Sequence, residues 1–245
     1  MRYFSLLLLL CLTAFHVTAQ ETDGYVTDLN VGFTLTTGNS ESTLFKFGAA
    51  AENIKEKQET LLSLSYDYGR TKETNDEGVE TETTQIDRAN AEAQSNWLYS
   101  EEFYAFLNIT AENDELANIT YRINAGPGLG YYFLRNDVST LTTETSVVYV
   151  TEDVGNKTDD YAAFRLAQRA EYKFSESSRI WQRLEGVISF SDAENYFLNV
   201  EVGAESKLND RIGLRVVLQD KYNNQPDTGI DNNDLTLFSG ISIRL

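Results

Sequence analysis

The arginine and glutamate side chains offer most of the chemistry available to this sequence, because many of them recur at even spacing. Arg165 and Arg169 stand four residues apart, as do Arg88 and Glu92. Residues two or four apart project from the same face of a β-strand. Facing guanidinium and carboxylate groups either neutralise one another or form a ladder that selects a small anion or zwitterion. The spacing predicts one charged face, with the candidate functional residues Arg88, Arg122, Arg165, Arg169, Arg183, Arg215 and Glu201.

Three glycines on the same face form a second candidate feature. Gly126, Gly128 and Gly130 occupy alternate positions. They leave space for a solute or for a large side chain from the opposite wall, or else they allow a strand to curve. A phosphate-binding loop is not indicated, because no helix follows them. Pro127 lies between them on the other face and predicts a local β-bulge.

The first residues have the composition of a cleaved secretory signal peptide. They combine a positive charge at Arg2, an apolar run over Leu6–Leu12 and a small-residue exit at Ala19. The apolar run is too short for a membrane-spanning helix. The sequence predicts a signal peptide over 1–19, followed by one exported domain over 20–245.

The predicted cleavage removes the residues that catalytic and metal sites most often use. The only cysteine, Cys11, and the only histidine, His16, lie in the signal peptide. Their loss excludes Ser-His-Asp and Cys-His hydrolases and nearly all zinc sites. A carboxylate pair of the glycosidase kind remains open, with Asp67 or Asp87 as candidates, but no feature selects a pair. We therefore expect neither an enzyme nor a cofactor or metal site.

Strong acidity indicates which partners to expect. The chain has 20 Lys and Arg against 38 Asp and Glu, a formal net charge of −18, and loss of Arg2 makes it −19. No nucleic-acid partner is expected at that sign. Acidic residues cluster in three predicted loops, at 70–82, 152–160 and 223–233, but Asp231–Asp234 lacks the spacing of a calcium loop. We expect these loops to bind divalent cations loosely and to respond to ionic strength.

A period of two runs through the chain and defines its elements. Twelve segments alternate apolar and polar residues, from Leu29–Leu35 to Leu235–Leu245, and no stretch keeps helical spacing. Most segments reach the length that crosses a bilayer, and short links alternate with longer ones. The pattern predicts an all-β fold, an antiparallel up-and-down transmembrane β-barrel of about 12 strands in the bacterial outer membrane. A soluble lipocalin-like barrel or sandwich remains the alternative, because the pattern does not show which face points inward.

Several motifs resemble those of the salt-induced outer membrane proteins, a family with a YdiY-type domain of unknown function. The resemblance covers about Tyr25 to Leu245 and implies a Gram-negative outer-membrane barrel without an established activity. It also implies contact with outer-membrane lipid, lipopolysaccharide and the insertion machinery, and it leaves the oligomeric state open. The motifs are Thr37–Ser40 with Ser42 and Thr43, Tyr66–Gly69, Ala125–Tyr131, and Asn224–Pro226 with Gly229.

Two functions remain open from the sequence. The first is a narrow small-solute pore, linked to salt or envelope stress. The second is a non-conducting structural barrel whose acidic loops bind divalent cations, lipopolysaccharide or a partner protein. A twelve-stranded barrel lies between the eight-stranded barrels that fill completely and the larger ones that leave a channel, so strand number does not decide.

Overall fold

The structure is a computed structural model that describes residues 25–36, 40–55, 57–74 and 80–245. The predicted signal peptide over 1–19 lies outside the described residues, and so do the turn residues 37–39 and the acidic residues Asp76 and Glu77.

Twelve antiparallel strands form one closed ring in which each strand pairs with its neighbours in sequence. β1 closes the ring against β12, with Asp28 opposite Arg244 and Val31 opposite Ile241. The all-β, twelve-stranded prediction is confirmed. The strands are β1 (Tyr25–Thr36), β2 (Ser40–Lys55), β3 (Gln58–Thr74), β4 (Glu80–Leu98), β5 (Phe103–Asp114), β6 (Ile119–Arg135), β7 (Ser139–Val154), β8 (Lys157–Lys173), β9 (Ser178–Ser189), β10 (Tyr196–Lys207), β11 (Ile212–Asn223) and β12 (Asn233–Arg244).

The apolar face points outward and the polar face points inward. Along β5, Leu107 and Ile109 are exposed whereas Asn108 between them is buried. A soluble barrel would have the opposite arrangement, because water would then cover its outside. No helix among the described residues is long and apolar enough to cross a membrane. Exposed aromatic side chains form a girdle at one end of the barrel, at Trp97, Phe103, Tyr131, Phe133, Tyr172 and Phe174.

The two ends of the barrel differ in their connections. Short turns lie at the end that carries both Tyr25 and Leu245, which we call the turn end. The opposite end, which we call the outer end, carries the longest described connection, residues 224–232. The predicted long loop at 152–160 is wrong, because β7 and β8 continue to a two-residue turn at 155–156. Both turn residues have positive φ, about 60° at Gly155 and 61° at Asn156, as in the hairpin turns that suit twisted strands.

Candidate functional site: the barrel lumen

The structure places all the predicted charged residues on the inner wall, but most of them are paired. The most deeply buried is Arg88, which is 2% exposed and contacts Asp67 at 3.3 Å and Asp114 at 3.7 Å. Lys46 also contacts Asp67, at 3.1 Å. Buried charges are tolerated when they are paired in this way, so Arg88 belongs to the supporting wall.

Arg122 forms a similar cluster nearer the outer end. Its Nε donates to Glu152 at 2.5 Å, and its guanidinium lies 3.7 Å from Glu112. The Tyr161 hydroxyl donates to the other oxygen of Glu152 at 3.0 Å, and the Arg122 guanidinium stacks 4.6 Å from the ring centroid of Phe197. These contacts leave Arg122 little freedom to bind a solute.

Arg165 and Arg169 hold the middle of the lumen. Arg165 bonds Glu185 at 2.6 Å and Glu144 at 3.2 Å. Arg169 on β8 reaches across the interior to Glu92 on β4, at 3.1 Å. The Arg165 pairs join β8 to its neighbours β7 and β9, whereas the Arg169–Glu92 pair links strands that are not neighbours and so narrows the interior.

One ion pair crosses the whole lumen. Lys221 on β11 bonds Glu112 on β5, and these strands are six apart in a ring of twelve, on opposite walls. Lys221 also donates to Asn90 at 3.4 Å. Both residues line a central cavity of about 330 Å³ and a smaller cavity of about 40 Å³ beneath residues 224–232. We call the smaller cavity the outer vestibule. The pair therefore separates the central cavity from the outer vestibule.

Cationic residues outnumber carboxylates in the lining of the central cavity, seven to five. Three of the seven, Lys46, Arg88 and Arg165, are neutralised by Asp67, Asp114 and Glu144, which are not part of this lining. Among the described residues, Arg215 hydrogen-bonds only the neutral Asn30, at 2.9 Å, and its buried Nε has no partner there. Glu201 accepts from the indole of Trp181 at 2.7 Å and from Gln219 at 2.9 Å.

Two of the three glycines are covered by aromatic rings from the neighbouring strand β5. A Cβ on Gly130 would overlap the ring of Tyr104, and one on Gly128 would overlap Phe106. Gly126 lies against the backbone of β7 at Val147 and Val148. The glycines thus accommodate large side chains from an adjacent strand, and they do not form a bare stripe open to solute.

The β-bulge predicted at Pro127 is wrong. The pairing of β6 with β7 keeps one register from Ala125 opposite Tyr149 to Gly128 opposite Ser146. Proline is accommodated because the ladder continues on either side of it. The register shifts lie elsewhere on β6, between Ile119 and Tyr121 and between Tyr132 and Leu134.

Residues 224–232, which we call the outer loop, cross the mouth of the barrel. Asp227 accepts a hydrogen bond from Asn118 at 2.8 Å, beyond the opposite strands β5 and β6, and its carboxylate lies where a Cβ of Gly155 would be. The bond from Asn118 lowers the pKa of Asp227 below its usual value. Asn224 donates to the carbonyl of Glu194 at 2.8 Å. Within the described residues, no group of three or more Asp, Glu, His or Cys is arranged to hold a metal ion.

Comparison of the sequence with protein families identifies its relatives. Residues 29–243 match the model of a protein family of unknown function, DUF481, which comprises the salt-induced outer membrane proteins of the YdiY type. The chain belongs to this family. The resemblance inferred from the four motifs is confirmed. A comparison with curated proteins found no match.

Solved structures similar to this chain are outer-membrane barrels. The NanC porin superposes with a TM-score of 0.55 at 10% identity, covering 89% of this chain and 100% of that one. An outer membrane channel from Pseudomonas putida F1 gives a TM-score of 0.50 at 11% identity, covering 90% of this chain and 94% of that one. At such identities the similarity shows the fold alone, which is that of an outer-membrane barrel.

Proposed function

We propose that this outer-membrane barrel is a narrow pore for small solutes whose interior favours anions. The observation that carries the proposal is the central cavity of about 330 Å³, whose lining includes Arg183 and Arg215, two guanidinium groups that form no ion pair with the described residues. A cavity of this size is at the lower end of the range for small-molecule sites. Solutes as large as an oligosaccharide would not fit without rearrangement.

The elements that separate the cavity from the outer end are few and flexible. They are the Lys221–Glu112 pair and the outer loop, and neither is a plug of regular secondary structure. Rotamers of long side chains change within nanoseconds, and loops move within microseconds. Rearrangement of these groups would open a path while the barrel wall stays unchanged.

A second candidate is a structural barrel that does not conduct. The bonds that span the interior favour it, because they connect β4 with β8 and β5 with β11. In this role the acidic groups at the outer end would contact lipopolysaccharide through divalent cations, as charge density alone suggests. Assembly of either kind of barrel would involve the outer-membrane insertion machinery.

Conductance measurements separate the two candidates. We would refold the chain in detergent, verify folding by heat-dependent electrophoretic migration, and record single channels in planar bilayers. Steady, salt-dependent conductance supports the pore. A folded barrel that inserts but stays electrically silent contradicts the pore and supports the structural role.

A further inference from the structure

Arg183 differs from the other arginines of the lumen in lacking a partner. Its guanidinium makes no ion pair or hydrogen bond with the parts of the chain that the structure describes, and its side chain is exposed to the central cavity. It lies on the inner face of β9, so this exposure is to the lumen and not to lipid. A guanidinium in the lumen that forms no ion pair is available to bind an anion.

The backbone register adds a second cation beside Arg183. Arg183 is directly opposite Arg169 in the pairing of β9 with β8, and both side chains face inward. Like charges directly opposite each other in a sheet are destabilising. Arg169 is partly neutralised by its ion pair with Glu92 on a distant strand, whereas Arg183 has only the longer-range attraction of Glu201 and no ion pair among the described residues. A bound anion would relieve this repulsion.

The facing carboxylate on β10 has other hydrogen-bond partners. Glu201 is the backbone partner of Arg183, but one of its oxygens accepts from Trp181 and the other from Gln219. Glu201 therefore attracts Arg183 electrostatically without forming a direct ion pair with it. The guanidinium of Arg183 keeps its hydrogen-bond donors free of this carboxylate.

Arg215 supplies a second, independent indication of a site. It lines the same cavity, it lacks a carboxylate partner among the described residues, and its Nε is buried without a hydrogen bond. Its guanidinium stacks 4.4 Å from the ring centroid of Trp181. A stacked guanidinium keeps its in-plane donors directed outward, which suits bidentate binding of a carboxylate.

We propose that Arg183 and Arg215, supported by Arg169, form a binding site in the central cavity for the carboxylate group of a small organic acid. The site rests on the proposed function in one respect, since the acid must reach the cavity through the lumen. It goes further than a general preference for anions, because it requires saturable binding at named side chains. Trp181, which contacts Arg215, would report occupancy.

The test uses tryptophan fluorescence of the folded barrel in detergent micelles. The chain has two tryptophans, so a Trp97→Phe variant leaves Trp181 as the only reporter. Sodium succinate is titrated against sodium chloride at equal ionic strength. We expect a saturable fluorescence change with succinate only. Arg183→Gln should weaken binding by about tenfold or more, and Arg183→Lys should restore part of it, because the charge returns without the bidentate fork.

Arg211→Gln, in an exposed turn at the turn end, is the control for net charge and should leave binding unchanged. Arg183→Gln should fold normally, because the substitution does not leave a carboxylate without its ion-pair partner. No saturable change in the parent, an equal response to chloride, or unchanged affinity in Arg183→Gln would each overturn the site. The two proposals can fail separately. Binding of succinate without conductance would contradict the pore and support the binding site. Conductance without binding would support the pore and contradict the binding site.

Discussion

Lys221 and Glu112 form an ion pair between opposite walls of the barrel. Glu112 is also within 3.7 Å of Arg122, so the carboxylate that holds Lys221 is fixed to its own wall. Lys221 is therefore the side chain of this ion pair that can move. Its position between the two cavities makes it the side chain whose removal should most affect passage.

Lys221→Met should increase conductance, because a shorter-reaching neutral side chain does not bridge to Glu112. Single-channel recordings in planar bilayers give the measurement. Lys57→Met, in the exposed turn between β2 and β3, removes the same charge outside the barrel wall and should leave conductance unchanged. If both variants conduct like the parent, the Lys221–Glu112 ion pair does not limit the passage of ions.

Asp67→Asn should strongly destabilise the barrel. Asp67 is 1% exposed and neutralises both Arg88 and Lys46. Breaking a buried ion pair from one side costs about 3–5 kcal/mol, because the remaining charge stays buried. Urea unfolding in micelles measures the loss of free energy, with Asp137→Asn in an exposed turn as the control. A loss no larger than that of the control would show that Asp67 is dispensable to the wall.

Gly130→Ala should disturb the aromatic packing of the wall. The new methyl group would overlap the Tyr104 ring and displace its hydroxyl from Glu144, now 2.9 Å away. Overpacking of this kind costs about 1–3 kcal/mol. Gly186→Ala is the control, since its Cβ would approach only the end of the flexible Leu198 side chain. Equal unfolding free energies for the two variants would contradict the role assigned to Gly130.

Acidification should release the outer loop, but only at low pH. The hydrogen bond from Asn118 lowers the pKa of Asp227, so the contact is present at neutral pH and is lost as pH falls through that lowered value, below the usual aspartate range. Hydrogen exchange of residues 224–232 measures the release. Asp227→Ala should show fast exchange already at neutral pH, whereas Asp231→Ala should behave as the parent. Release near neutral pH in the parent would be inconsistent with this contact.

The alternation of outward apolar residues could be read from the sequence because lipid contact imposes a strict period of two. That period placed Leu107 and Arg165 on opposite faces, and the membrane-barrel interpretation then placed Leu107 outward and Arg165 inward, as the structure has them. Ile119 is an exception: alternation places it outward, but it is buried after Asn118, whose φ is 55°, beside a register shift. A single residue with positive φ changes the face on which the first side chains of a strand lie, and the periodic sequence pattern does not reveal that change.

The contacts across the lumen could not be derived from the sequence. The residue of β11 that meets Glu112 depends on the stagger of all the strands between β5 and β11, because each pair of neighbouring strands has its own register. The aromatic rings over Gly128 and Gly130 could not be predicted either, because Phe106 and Tyr104 lie on the polar face of β5, where alternation predicts hydrophilic residues. The hydrogen bonds of Glu201 with Trp181 and Gln219, beside an Arg183 that forms no ion pair with the described residues, could likewise be found only from the structure.

The most direct test of the account is the reversal potential of single channels in a potassium chloride gradient. Arg183 and Arg215 line the central cavity without an ion pair to the described residues, which predicts conductance with preference for chloride although the chain carries a net charge of −18. Arg183→Gln should reduce that preference. Preference for potassium, or a folded and inserted barrel without conductance, would contradict the account.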